Sequence, residues 1–160
     1  MRLLLPILIA FSSLALAEPP QEVRDEIARL IGRTQALGDV SEFGLFVARS
    51  IEANDCRGLL DYISPNSEYF EDPEYFYANC LYNSRRFREL DSYQIGRLSF
   101  QVQRPDGLPP LMPVITILYG EGGNGDKIDL RLDLEADKFL LLDMKFLYGG
   151  PNSYVPPKHP

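Results

Sequence analysis

Residues 127–148 read KIDLRLDLEADKFLLLDMKFLY, and their pattern decides the fold. Ile128, Leu130, Leu132 and Leu134 alternate with Lys127, Asp129, Arg131 and Asp133. That period of two marks a strand with one buried face. Glu135-Ala136-Asp137 turns the chain, and Lys138–Tyr148 returns with Leu140, Leu142, Met144 and Phe146 expected on its inner face. Three turn residues are too few for a parallel crossover, so the two strands must be antiparallel.

Working back from this hairpin, Pro113–Tyr119 is apolar on both faces and reads as a covered strand. Glu121–Gly125 is a Gly-rich turn into the hairpin. Tyr93–Arg104 places Leu98, Phe100 and Val102 on one face, with Gly96 as a bulge, and Pro105-Asp106-Gly107 turns it. These four runs make an antiparallel meander.

Ahead of residue 91 the period is helical. Val23, Ile27, Leu30, Ile31 and Leu37 form one stripe, which Gly38 ends. Ser41 is expected to cap a second helix carrying Phe43, Phe46, Val47 and Ile51. A third, short helix is expected over Arg57–Ile63. Asp72-Pro73-Glu74 starts another, combining an N-cap acid, a proline in the first turn and a carboxylate at the positive dipole end. Phe76 and Cys80 fall one turn apart on its face. Helices followed by a meander define an α+β class, with N-terminal helices packed on a curved four-stranded antiparallel sheet.

The flanks point to export. Met1-Arg2, the apolar run Leu3–Phe11 and the small-residue site Ala15-Leu16-Ala17 have the layout of a secretory leader, residues 1–17, cleaved after Ala17. The apolar run is roughly half of the about 20 residues that span a bilayer, which favours a cleaved leader over an anchor. The expected product is a single α+β domain over 18–148 with a Pro/Gly-rich, disordered tail over 149–160. Its expected location is periplasmic or secreted, and not embedded in a membrane.

Cys56 and Cys80 are the two cysteines, and an even count in an exported chain reads as a disulfide. Closing a loop of about 25 residues stabilises a fold by roughly 3 kcal/mol in the chain-entropy model. The formal charge of −7 becomes one unit more negative when Arg2 leaves with the leader. Such a balance repels phosphate backbones and argues against nucleic-acid binding.

The one histidine, His159, lies in the tail. Ser-His-Asp, Cys-His and His-ligated metal chemistry therefore have no central residue to work with. No metal site and no cofactor are expected. Gly120–Asp126 carries Lys127 where the calcium nonapeptide needs Asp, and it does not join a strand to a helix as a phosphate loop does. It reads as a hairpin turn. Acids are plentiful, so no single carboxylate pair stands out for glycoside chemistry.

Phe46-Val47-Ala48-Arg49-Ser50-Ile51-Glu52-Ala53-Asn54-Asp55, followed by Leu59-Leu60-Asp61-Tyr62-Ile63-Ser64-Pro65, resembles the second-helix pattern of the nuclear-transport-factor-two-like group. The strands Lys127–Leu134 and Lys138–Phe146 resemble its closing hairpin. These α+β cone folds include SnoaL-like enzymes and many exported proteins. The chain has no Trp, which the closing strand of those families often carries. The resemblance implies a concave sheet side that holds a ligand pocket in enzymes and packs or dimerises in non-enzymes.

The candidate working surface is the aromatic helix Asp72–Tyr82 with the Arg85–Arg88 turn. Tyr75, Tyr77, Tyr82, Arg85, Arg86 and Arg88 are residue types enriched at interface hot spots, gathered in an otherwise acidic chain. The competing expectation buries the rings in the core and pairs the arginines with Glu89 and Asp91. The function read from these residues is an exported, non-enzymatic module that binds a protein partner or a small apolar ligand, or pairs with a second copy through the sheet face. The alternatives are a SnoaL-like enzyme using Asp and Tyr in acid–base work, and an inhibitor or immunity-type protein whose acidic face covers a basic enzyme.

Overall fold

The computed structural model describes residues 18–90, 92–103, 110–120 and 125–149. Residues 1–17, expected as a leader, the turn at 105–107, most of the turn at 121–125 and the tail from 150, with His159, lie outside the described residues.

Three helices precede the sheet: α1 (Gln21–Leu37), α2 (Val40–Glu52) and α3 (Pro73–Phe87). Gly38 ends α1 with φ 122°, a conformation that side chains with a Cβ rarely adopt. The cap of α2 is Asp39, whose carboxylate accepts the Ser41 N–H, two positions earlier than the hydroxyl expected for that role. Asp72 caps α3 as its sequence predicts, accepting the Tyr75 N–H at 3.0 Å. The expected helix over 57–63 shrinks to turns and a 3-10 turn at Leu60–Tyr62. The reason lies in the Asp55 side chain, which takes the Gly58 N–H at 2.9 Å and so favours a turn over a helix start. A second 3-10 turn spans Glu68–Phe70.

The strands are β1 (Tyr93–Ile95), β2 (Ser99–Val102), β3 (Leu111–Tyr119), β4 (Lys127–Asp133) and β5 (Leu140–Leu147). All pairings between them are antiparallel, in the order β1-β3-β4-β5, with β2 also on β3. β1 and β2 are the two halves of the first expected strand. The break falls at Gly96, whose N–H bonds to Thr116 O at 2.7 Å. A Cβ there would sit 2.9 Å from that same oxygen, so glycine permits the close approach.

Helices α1 and α2 lie on β3, against the face formed by Ile115, Ile117, Ile128 and Leu130, all fully buried. Val47, Ile51, Leu59, Phe76 and Phe87 fill the space beneath. On β5 the inner face departs from strict alternation. Phe146 and Met144 face Ile128 and Leu130, but a register shift then pairs Leu132 with Leu141. Leu142 is the extra residue of this bulge. Leu141 enters the core in its place, fully buried, while Leu142 turns to the rim. Cys56 and Cys80 are joined, with Cα atoms 6.0 Å apart, and the bridge fastens the loop after α2 to the middle of α3.

Candidate functional site

β5 is an edge strand, and a cleft of about 620 Å³ runs beside it. One wall is α3, which presents Tyr75, Asn79 and Asn83 at helical spacing. The 3-10 turn at Glu68–Phe70 contributes Glu68 and Tyr69, and the floor is β5 from Leu142 to Leu147 with Tyr148 just past it, and Arg131 and Met112 beyond.

One end of the cleft is closed. Ile63 forms a parallel bridge with Leu141, where the Ser64 N–H reaches Leu141 O at 2.9 Å. Ser67 Oγ donates to Leu142 O at 2.7 Å. Beyond that point, from Asp143 to Leu147, the outer edge of β5 makes no backbone pairing among the described residues.

The closed end is anchored from behind. Asp133 accepts the Ser64 hydroxyl at 2.5 Å, the Asn66 amide at 3.0 Å and the Glu135 N–H at 2.9 Å. Burial works to raise its pKa, but these three donors outweigh it and hold the carboxyl below its ordinary value.

Arg131 and Asp143 lie opposite each other on β4 and β5. Their closest approach is 3.6 Å, and Arg131 Nη2 is 3.4 Å from Gln101 Oε1. Arg131 Nε is buried with no partner among the described residues. The guanidinium, a quarter exposed, is thus held only at long range. Asp143 also takes the Tyr69 hydroxyl at 3.3 Å. Burial, and then the Asp143 charge, push the Tyr69 phenol well above its ordinary pKa. A phenol in that state keeps its proton and can donate a hydrogen bond, but it is a poor base.

The far end is bordered by a polar knot. Arg86 makes a two-pronged pair with Asp126, which also accepts the Gly149 N–H at 2.8 Å. The Arg86 guanidinium lies 5.0 Å over the Tyr148 ring, whose hydroxyl donates to Asn83. Burial lifts the Tyr148 phenol to about 12. Asn83 and Tyr148 line both this cleft and a second, more open one of about 880 Å³ formed with Ala78, Leu81, Tyr82, Arg85, Arg86 and Glu89.

The six candidate residues are therefore dispersed. Tyr75 lines the first cleft, while Tyr82, Arg85 and Arg86 line the second. Tyr77 points to the opposite flank of α3, where Arg57 lies 4.4 Å over its ring. Arg88 is exposed just past the helix. Of the acids expected to pair with the arginines, Asp91 lies outside the described residues, and Arg86 pairs with Asp126, forty residues along the chain. The rings of the aromatic helix also divide: Phe76 is in the core, whereas Tyr82 is more than half exposed.

Sequence reasoning missed Asn66, Asn79, Asn83 and Arg131. The asparagines of α3 carried a readable signal, an i,i+4 amide pair on one helix face. Arg131 read simply as an outward residue of an alternating strand.

Among the described residues no group of three or more His, Cys, Asp or Glu is placed to hold a metal ion, and no helix is long and apolar enough to cross a membrane. Comparison of the chain with protein-family models, with curated proteins and with solved structures finds no match in any of the three.

Proposed function

We propose that this chain is an exported binding module that takes an extended partner segment into the cleft between α3 and β5. The observation that carries this reading is the β5 edge from Asp143 to Leu147, unpaired among the described residues and lying along a cleft walled by amides and phenols. An unpaired strand edge offers a row of backbone donors and acceptors to any segment that can lie beside it. Amide and phenol side chains add hydrogen bonds without the desolvation cost of full charges. The disulfide suits an oxidising compartment, and the leader-like residues 1–17 supply the route to it.

The SnoaL-like alternative would have to work through the Tyr69–Asp143 pair. The raised phenol suits that pair to hydrogen bonding more than to proton abstraction. Dimerisation through the sheet face is the weaker partner reading. That face carries the Arg131–Asp143 and Thr116–Asp129 pairs, with Leu118 and Leu147 as its exposed apolar residues. The nuclear-transport-factor-two-like layout remains part of the proposal and rests on the residues quoted for it.

The test is selection of a random displayed-peptide library against the mature protein and against Asn79→Trp, which fills the cleft. Binders that are lost on Asn79→Trp support the reading. Binders that hold both proteins equally well place the site elsewhere.

A further inference from the structure

Resting on that cleft, we propose a sharper assignment: it captures the free C-terminus of a partner chain, with the terminal carboxylate held by Arg131. The argument starts from the direction of β5. Its edge is already occupied at Leu141 and Leu142 by the Ser64 N–H and the Ser67 hydroxyl, and it opens at Asp143. A strand added antiparallel to β5 runs from Leu147 towards Asp143 and meets the Ile63–Ser67 segment head-on. A chain that continued would collide with that segment, whereas one that ended opposite Asp143 would fit.

The chemistry at the closed end matches a chain terminus. The acid there, Asp143, already receives the Tyr69 hydroxyl. Among the described residues the cation, Arg131, has no hydrogen bond or ion pair shorter than 3.4 Å, and its buried Nε has no partner. A guanidinium fork binds a carboxylate by two parallel hydrogen bonds, and this fork is under-committed. Lys145, exposed one residue-pair further along the same face, selects an acid opposite itself.

A second copy of the chain is a poorer occupant. Antiparallel pairing over the same five residues would set Lys145 against Lys145, and like charges directly opposite disfavour a strand pair.

The experiment uses the pentapeptide acetyl-Thr-Val-Glu-Val-Val, whose third residue from the end would lie opposite Lys145. It is compared, as free acid and as C-terminal amide, by calorimetric titration of the mature protein. The expected result is binding of the acid at least about tenfold tighter than the amide. Arg131→Gln should erase that preference while its thermal melt shows it folded. Hydrogen exchange should show new protection of the Asp143–Leu147 amides when the acid is bound. Equal binding of acid and amide overturns the carboxylate assignment, since the internal Glu is then sufficient. Absence of binding by either form overturns it too, as does strong protection of those amides before any peptide is added. In each of these cases the cleft reading is judged separately, by the library selection with Asn79→Trp.

Discussion

Arg86 and Asp126 form a two-pronged ion pair, with Nε–Oδ2 at 2.5 Å and Nη2–Oδ1 at 2.9 Å, that ties α3 to the start of β4. Asp126 is 5% exposed, while Arg86 is nearly half exposed. The Gly149 N–H on the same carboxylate adds the end of β5 to the knot.

Removing Arg86 leaves a buried carboxylate with one backbone donor. Because Arg86 is half in water, the cost is set below that of a fully buried pair, at on the order of 1–2 kcal/mol for Arg86→Ala. Asp126→Asn should cost a similar amount, and the double variant should cost clearly less than the two singles added together. Urea unfolding of the four proteins checks this. Full additivity would mean that the pair is not coupled. An Arg86 substitution therefore reports on folding before it reports on binding.

Tyr119 offers the opposite case. Its side chain is 4% exposed and packs on Phe87 and Tyr93, but its hydroxyl has no partner among the described residues. Burial, and then Tyr93 and Glu52, push its pKa well up. Deleting an unsatisfied buried hydroxyl removes a desolvation cost. Tyr119→Phe should leave stability unchanged or raise it by up to about 1 kcal/mol, as read from a chemical denaturation midpoint. A loss of that size would reveal a partner for the hydroxyl.

Asp133 makes stability depend on pH in the acid range. Its folded pKa is lowered by the Ser64, Glu135 and Asn66 donors against the pull of burial. A depressed carboxyl contributes stability that is present above the unfolded value, about 3.9. That contribution is lost as pH falls through the folded pKa. Ser64→Ala should move the acid limb of the stability profile to higher pH, because it removes one of the donors. A profile unchanged in Ser64→Ala would count against Asp133 as its source.

The Cys56–Cys80 bridge constrains the unfolded chain as well as the folded one. Cys56→Ala with Cys80→Ala should lower stability by roughly 3 kcal/mol. Thiol titration of the denatured, unreduced protein should find none free. Mass spectrometry of the exported protein should begin at Glu18, and a retained Met1 would contradict cleavage after Ala17.

Alternation in 127–148 and helical spacing before residue 91 were enough to determine an α+β fold and an antiparallel sheet. Both periods follow from backbone geometry that every residue in an element shares, so they are written locally. Asp72-Pro73 set the start of α3 for the same reason: a cap needs only its own few residues. The bulge at Leu142 was not legible, because Leu141 and Leu142 are the same residue type and only packing against Leu132 chooses between them. The Arg86–Asp126 pair joins positions forty residues apart, and nearer acids were equally good partners on paper. The cleft likewise exists only because segment 63–67 covers the first part of one strand edge and stops. Whether an edge is left open depends on what folds against it, a long-range relation that tertiary structure alone decides.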